Sequence, residues 1–451
     1  MAGKKKQAQL TPEEKLQQAL VPEDEQPYKV PANWCWTYVK YVSEVVTGGT
    51  PSKKHTEYYG GNFPFFKPVD LNSGRHVYNA SEYLSEAGKN ISCMIPKYST
   101  LVCCIGSIGK SGYLEIDGTT NQQINSAIPK FDSLYLYYFI NTNYFIIQLL
   151  QKASATTISI VNKTKMENCF FPLPPLAEQQ RIVERIESLF AKLDEAKENL
   201  QNVLDGFETR KAAILHKAFT GELTANWRKQ HGLTMDSWEE KKLLDTCMLK
   251  SGNTIPSDAE LERIENNAIP YLKVSDMNLP NNLIKITTSS KFAFPINIAH
   301  LIPFGSTIFP KRGGAILTNK KRFVSVENIL VDLNIMAIIP NNKILVNWYC
   351  YYWMQLIDLK TLNNGSNIPQ INNKDMAKLN IWLPSLIEQT EIVRIIDNLL
   401  AKEQQAHSVV QNALAKIDLI KKSILARAFR GQLATNNPAD EPAVKLLERV
   451  L

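Results

Sequence analysis

Apolar residues between 176 and 218 recur at alternating spacings of three and four. One heptad position carries Leu176, Val183, Phe190, Leu204 and Ala218. The other carries Ile186, Leu193, Leu200, Phe207 and Ile214. The alternation returns between 386 and 428, with Leu386, Val393, Leu400, Leu414 and Ala428 on one position and Ile396, Val410, Ile417 and Ile424 on the other. A pattern sustained this long predicts a coiled-coil seam. Some 43 residues at about 1.5 Å each predict a rod of roughly 60 Å. Pro174 and Pro384 stand just before each helix, where a missing N–H does no harm. Glu178 and Glu388 fall in the first turn, where negative charge suits the helix dipole. Gly221 and Gly431 stand where a left-handed cap ends a helix.

The two patterns are copies. LPPLAEQQRIV, ending at KAFTGEL, returns as LPSLIEQTEIV, ending at ARAFRGQL, with a constant offset of 210 and no gap. That offset is a multiple of seven, so both copies share one register, and their polar breaks coincide: Lys197 with His407, and Lys211 with Lys421. His407 reads as a tolerated break in the seam. Two hairpins of an ordinary bundle would give a similar pattern, but the stretch between the copies has another character, which argues for a repeat architecture.

That stretch, and the one before the first copy, alternate in short β-like runs broken by turns: VSEVVTGGTPS, FPFFKPVDLN, STLVCCIGSIGKSGYLEI and INSAIP, then an aromatic helix at 133–150. The second stretch echoes the first. IPYLKVSDMN (269–278) follows FPFFKPVDLN (63–72), matching Lys67 with Lys273 and Asp70 with Asp276. NWYCYYWMQL follows the aromatic helix, and SNIPQINNKDM follows TTISIVNKTKM, with Met376 opposite Met166. The expected divisions are a helix and linker at 1–32 with a capping box at Thr11 and Glu14, a mixed α/β domain at 33–172, the first long helix at 173–224, a polar connector at 225–237, a second α/β domain at 238–382, the second helix at 383–433, and a tail helix at 434–451.

A length of 451 residues suits about three domains of ~150 each. With 44% hydrophobic and 21% charged residues, the chain has enough apolar content for real cores. A net charge of +7 points only weakly to a polyanionic partner. Seven scattered cysteines without a C-x-x-C pair argue against structural zinc and for a reducing compartment. Cys103–Cys104 reads as core packing. The N-terminus lacks the apolar core of a secretory signal. The most apolar run, 135–150, is broken by Asn141, Asn143 and Gln148, so a buried helix is expected there and not a membrane span.

The fold class expected is therefore α/β (α+β): two mixed α/β domains joined by two long helices packed as an antiparallel coiled coil, with pseudo-twofold symmetry. Twofold proteins read two DNA half-sites at a fixed separation. Here the globular parts have diverged more than the helices, so two different half-sites at constant spacing are expected.

On these residues, together with TGGTPS at 47–52 and NPADEPAVKLLERV near the C-terminus, nearly the whole chain resembles the specificity (S) subunits of type I restriction–modification systems, the HsdS family. The second domain departs by carrying KSGNTIPS in place of TGGTPS. The resemblance implies that the α/β domains are target recognition domains, each reading one part of a split, asymmetric site in double-stranded DNA. It implies that the helices set the gap and dock two methyltransferase (M) subunits. It also implies a complex that methylates adenine N6 using S-adenosylmethionine and, with ATP- and Mg-dependent motor (R) subunits, cleaves unmethylated DNA in a prokaryotic cytoplasm. This chain would bind no cofactor itself.

No catalytic centre is legible. The chain contains no G-x-x-x-x-G-K-[ST] and no H-E-x-x-H; Pro174–Pro175 lacks the polar and aromatic neighbours of an adenine methyltransferase site, and the six histidines are dispersed. Basic residues in glycine-rich or loop-like sequence are the candidates for DNA contact. They are Lys53 and Lys54 after the TGGTP turn, Lys311 and Arg312 before Gly313–Gly314, and Lys320, Lys321 and Arg322. Lys67, Arg75, Lys110 and Lys273 follow at lower rank. Lysine suits phosphates and arginine suits guanine edges; a solvated surface charge is the bland alternative for each. A coiled-coil scaffold that binds proteins and not DNA is the competing reading of the whole chain.

Overall fold

Each globular segment opens and closes on one antiparallel ribbon. In a computed structural model of the chain, Cys35–Tyr38 pairs with Phe170–Leu173, and Glu239–Lys242 pairs with Asn380–Leu383. The structure describes residues 11–154, 159–265, 267–295, 298–362 and 369–451. The chain divides into two units, Met1–Gln201 with Asn412–Leu451, and Asn202–Gln411.

In the first unit, one antiparallel sheet runs in the order Ser43–Thr47, Ile124–Pro129, Thr100–Cys103, Ser111–Tyr113. Beside it, Tyr59–Phe66 pairs antiparallel with Glu82–Leu84 and parallel with Thr119–Thr120. The second unit repeats this order with Cys247–Ser251, Ile335–Pro340, Thr307–Pro310 and Arg322–Val324, and adds Lys285–Ile286 at the edge. Its second sheet centres on Ile269–Leu272, again with one antiparallel and one parallel neighbour. The sequence echo has a physical content: Lys67 N–H donates to Asp70 at 2.7 Å, and Lys273 N–H to Asp276 at 2.9 Å.

The KSGNTIPS departure leaves the loop geometry intact. Gly48 and Gly49 donate to the carbonyls of Ile124 and Thr120, and Gly252 and Asn253 donate to those of Ile335 and Val331. The aromatic stretch at 133–150 is not one helix. It forms Ser133–Ile140 and Asn143–Lys152, because Thr142 adopts an extended backbone, with ψ at 146°, and caps the second at Phe145 N–H. Its counterpart, Asn347–Leu356, is a single helix.

The repeated helices are Leu176–Asp205 continued by Phe207–Phe219, and Leu386–Ala428 without a break. The interruption is at Gly206, where the second copy has Lys416; glycine is a poor helix former. The helices pack antiparallel within each unit. In the first, Asp194 pairs with Lys421 at 2.5 Å; in the second, Arg210 pairs with Glu403 at 2.8 Å and Phe207 packs at a tilt against His407, with ring centres 4.9 Å apart. Val183, Ile186, Ile396, Val410 and Ile417 are buried, whereas Phe190, Leu193, Leu200, Leu204, Phe207, Ile214, Val393, Leu400, Leu414 and Ile424 are half-buried. A two-helix seam covers its side chains only partly. Two corrections apply at the ends. Leu176 and Leu386 are exposed, and Ile182, Leu215, Ile392 and Leu425, off the heptad seam, are buried against the globular segments. The apolar stripe widens there because each helix end has two neighbours. Gly221 and Gly431 do cap the helices, with φ of 80° and 69°.

Glu178 and Glu388 do more than face a dipole: both are fully buried. Glu178 accepts from Trp34 Nε1 at 2.7 Å and Asn436 Nδ2 at 2.8 Å. Glu388 accepts from Arg228 Nη1 and Thr224 Oγ1, each at 2.7 Å. In each unit, then, the start of one repeated helix holds the segment that follows the end of the other. Arg228 lies on a short helix, Ala225–Gln230, within what reads as a polar connector. The tail forms a helix, Ala443–Glu448, with Ala443 and Leu447 buried in the first unit's core beside Ala19.

Candidate nucleic-acid interface

Strand direction decides which loops meet. The glycine-rich loop leaves Thr47 at the end of the first sheet where Cys103 runs into the 104–110 turn, since both strands pair with the same central strand. There Thr47 Oγ1 donates to Asn125 Oδ1 at 2.7 Å, Thr50 hydrogen-bonds Gln122, and Val161 N–H donates to the Cys104 carbonyl at 2.9 Å. Glycine is required at Gly48, whose added Cβ would run into the backbone of Thr120 and Asn121. In the second unit the same loops meet. Lys311 Nζ donates to Ser251 Oγ at 2.8 Å, Ile371 N–H donates to the Lys311 carbonyl at 2.9 Å, and Gly252 lies against Val331 and Asp332. The frame is shared and the side chains are not: Cys104 stands where the second unit has Lys311.

The basic candidates separate once placed. Lys53, Lys54 and Arg312 are exposed, and Lys311 is half-buried; its ammonium is pushed down in pKa by that burial, with neighbouring Arg312 adding to the effect. Lys67 pairs with Glu82 at 2.5 Å, and Lys273 with Glu260 at 2.7 Å. Lys110 and Lys320 each reach back to the segment that follows Tyr59–Phe66 or Ile269–Leu272, Lys110 to the Pro68 carbonyl and Lys320 to the Asn278 side-chain oxygen. Arg75 lies 4.5 Å over the Tyr113 ring and 3.3 Å from Glu187 on the first helix, which Tyr138 also contacts.

The expectation for the Lys320–Arg322 run needs correction. Lys321 is 2% exposed and donates to Asn319 Oδ1 at 2.8 Å and the Ile357 carbonyl at 2.5 Å. Burial lowers its pKa to about 8. Arg322 is 8% exposed and turns its guanidinium onto the carbonyls of Met277 and Lys321. A charged run reads as surface, but here backbone carbonyls replace the water that a buried cation loses. Two further residues join the loop cluster unforeseen: Ile160 and Gln370, which bridge to Ile105 and Arg312. The aligned segments TTISIVNKTKM and SNIPQINNKDM carried the signal, since they place Ile160 opposite Gln370.

Among the described residues no group of three His, Cys, Asp or Glu could hold a metal ion, and no helix is long and apolar enough to cross a membrane.

One scaffold is used twice, with the loop chemistry changed and the joining helix kept. The chain belongs to the family described as type I restriction modification DNA specificity domain, whose model matches residues 31–205 and 235–412. It is similar to the specificity subunits of the type I restriction enzymes StySPI of Salmonella potsdam (24% identical, 94% of this chain and 96% of that one) and EcoKI of Escherichia coli K12 (22%, with the same coverage). The subunit of EcoDI, from Escherichia coli, is 26% identical over 70% of this chain and 75% of its own. Its fold is that of the HsdS subunit from Thermoanaerobacter tengcongensis, at a TM-score of 0.64 and 18% identity, covering 91% of this chain and 100% of that one. A chain solved in work on complex assembly of the type I R-M system has a TM-score of 0.66 at 18% identity, covering 90% of this chain and 100% of that one. This chain is thus a DNA sequence-recognition subunit, a non-catalytic component of a restriction–modification complex, with DNA and the other subunits of such a complex as its partners.

Proposed function

We propose that each globular segment reads one half of a split, asymmetric DNA site, and that the repeated helices fix the spacer and dock two methyltransferase subunits. The observation that carries this reading is the shared strand order and glycine-loop hydrogen bonding of the two segments, combined with different loop side chains, as at Cys104 and Lys311. A common frame keeps two readers alike in placement, and changed loops make them differ in what they read. Lys53, Lys54, Lys311 and Arg312 are the proposed DNA contacts. S-adenosylmethionine belongs to the methyltransferase subunits, and ATP with Mg²⁺ to motor subunits where these join. The setting is the cytoplasm of a prokaryote.

Methylome sequencing of cells carrying this chain with its methyltransferase subunits tests the reading. A motif in two defined parts around an unspecified spacer is expected; a single uninterrupted motif would sink it. In a gel-shift, the chain should add sequence-specific affinity to the methyltransferase subunits. A protein-binding scaffold would add none.

A further inference from the structure

The loop clusters contain one position where frame and chemistry part most sharply. In the first unit, Ile105 and Ile160 form an antiparallel bridge; in the second, Arg312 and Gln370 form the same bridge. The backbone around them is held alike. Cys104 N–H donates to Gln123 O at 2.7 Å, and Lys311 N–H to Asn334 O at 2.8 Å. Val161 and Ile371 N–H close the other side on Cys104 and Lys311, each at 2.9 Å. A side chain here stands on a backbone fixed from both sides, as a reading group requires. Ile160 is 39% exposed, and Arg312 is exposed.

We infer that this bridge is a specificity-determining position of both segments: Arg312, steadied by Gln370, reads a guanine, and Ile105 with Ile160 receives a thymine methyl in the other half-site. The inference rests on the proposed two-part reading. Arg312 Nη2 donates to Gln370 Oε1 at 3.3 Å, and Gln370 Nε2 donates to Asn372 Oδ1 at 2.8 Å, so the amide that orients the guanidinium is itself oriented. Among the described residues, no carboxylate forms an ion pair with Arg312, unlike Arg75, Arg210 and Arg228. Its remaining donors are those that match guanine O6 and N7 in the major groove. Lys311, pinned on Ser251 of the glycine loop, brings positive charge beside it without competing for the base. An isoleucine pair, with Ile105 half-buried and Ile160 exposed, offers no side-chain hydrogen bond. It can distinguish base pairs only by apolar contact, and in the major groove that contact is the thymine methyl.

The test uses the complete complex with its methyltransferase subunits. In the methylome, Arg312→Gln and Arg312→Lys should each make one G·C position of one half-site degenerate, lowering discrimination there about ten- to hundred-fold. The other half-site should keep every position. Ile105→Arg with Ile160→Gln should install a guanine preference at one position of that other half. Should an Arg312 variant fail to methylate, binding of the purified complex to DNA with single base-pair changes gives the same readout. Unchanged discrimination at every position overturns the inference, as does a half-site that contains no G·C pair. A phosphate role would also overturn it: Arg312→Gln would then weaken binding evenly and reduce the salt slope by about one, with Arg312→Lys restoring both. A wild-type motif in one part sinks the two-part reading itself; a two-part motif untouched by Arg312 sinks only this inference.

Discussion

Gly48 and Gly252 occupy the same corner, each pressed against a backbone that leaves no room for a Cβ. Gly49 has nothing within 4 Å of its added Cβ. Gly252→Ala should therefore displace the 251–256 loop and erase recognition of one half-site, Gly48→Ala should erase the other, and Gly49→Ala should leave both intact. Loss of both halves from either single change, read by methylome mapping, would break the link between each loop and its own half. Lys321 makes a prediction about stability. Burial lowers its pKa from 10.5 to about 8 in the folded chain. As pH rises through about 8 the folded state releases this proton while the unfolded state still holds it, so the Lys321 contribution to stability rises between about pH 8 and 10.5 and is smallest below that window. In denaturant titrations of the full chain, Lys321→Met should lack that rise. Equal pH slopes for both proteins would show that the amine is not desolvated.

The repeated helices differ at one residue that matters to the backbone. Gly206 has a negative φ of −74° with ψ at −7°, open to any residue, and its own N–H and carbonyl keep i to i−4 bonds with Asn202 and Arg210. Gly206→Ala should therefore stabilise the helix by at most about 0.5–1 kcal/mol, because the added Cβ would lie 2.6 Å from Arg210 Nη1 and the end of that side chain, paired with Glu403, must shift. An unchanged or lowered denaturation midpoint would mean that the break is needed. The helix starts differ in charge balance. Glu388 has a cation, Arg228, at 2.7 Å, whereas Glu178 is held by neutral donors, Trp34, Asn436 and Thr435. Arg228→Met strands a buried carboxylate and should cost about 3–5 kcal/mol, and adding Glu388→Gln should recover part of it. A double variant no better than the single one would count against a direct pair.

For the whole molecule, the helices run through both units, so the proposed spacer role can be tested without touching either reader. Inserting seven residues after Leu200 and again after Val410 preserves the seam, and at ~1.5 Å per residue adds about 10 Å. At about 34–36 Å of DNA per ten base pairs, that is some three base pairs of spacer, with affinity reduced because the duplex also turns. Methylome mapping should find the same half-sites with an altered gap. An active variant with the original gap would show that the helices do not set it. The tail also acts at this scale: Ala443 and Leu447 close the first unit's core, so removing 436–451 destabilises that unit together with any docking it supports.

The periodic and local features were legible in the residues alone. A 3–4 alternation, a glycine at each helix end and an ungapped repeat determine two long helices, because helix geometry and capping depend on neighbours a few residues away. The Lys67–Asp70 and Lys273–Asp276 echoes determine matching turns for the same reason. Solvation was not legible. Lys320, Lys321 and Arg322 read as one exposed basic patch, yet only folding brings Met277, Ile357 and Asn278 to accept their hydrogen bonds. Glu178 and Glu388 sit in the first turn on either reading, but their burial depends on Trp34 and Arg228, more than a hundred residues away in the chain. The Arg312–Gln370 pairing, too, exists only where two segments far apart in the chain meet. Whether a charge faces water or a carbonyl is a property of distant partners, and tertiary structure alone assigns those.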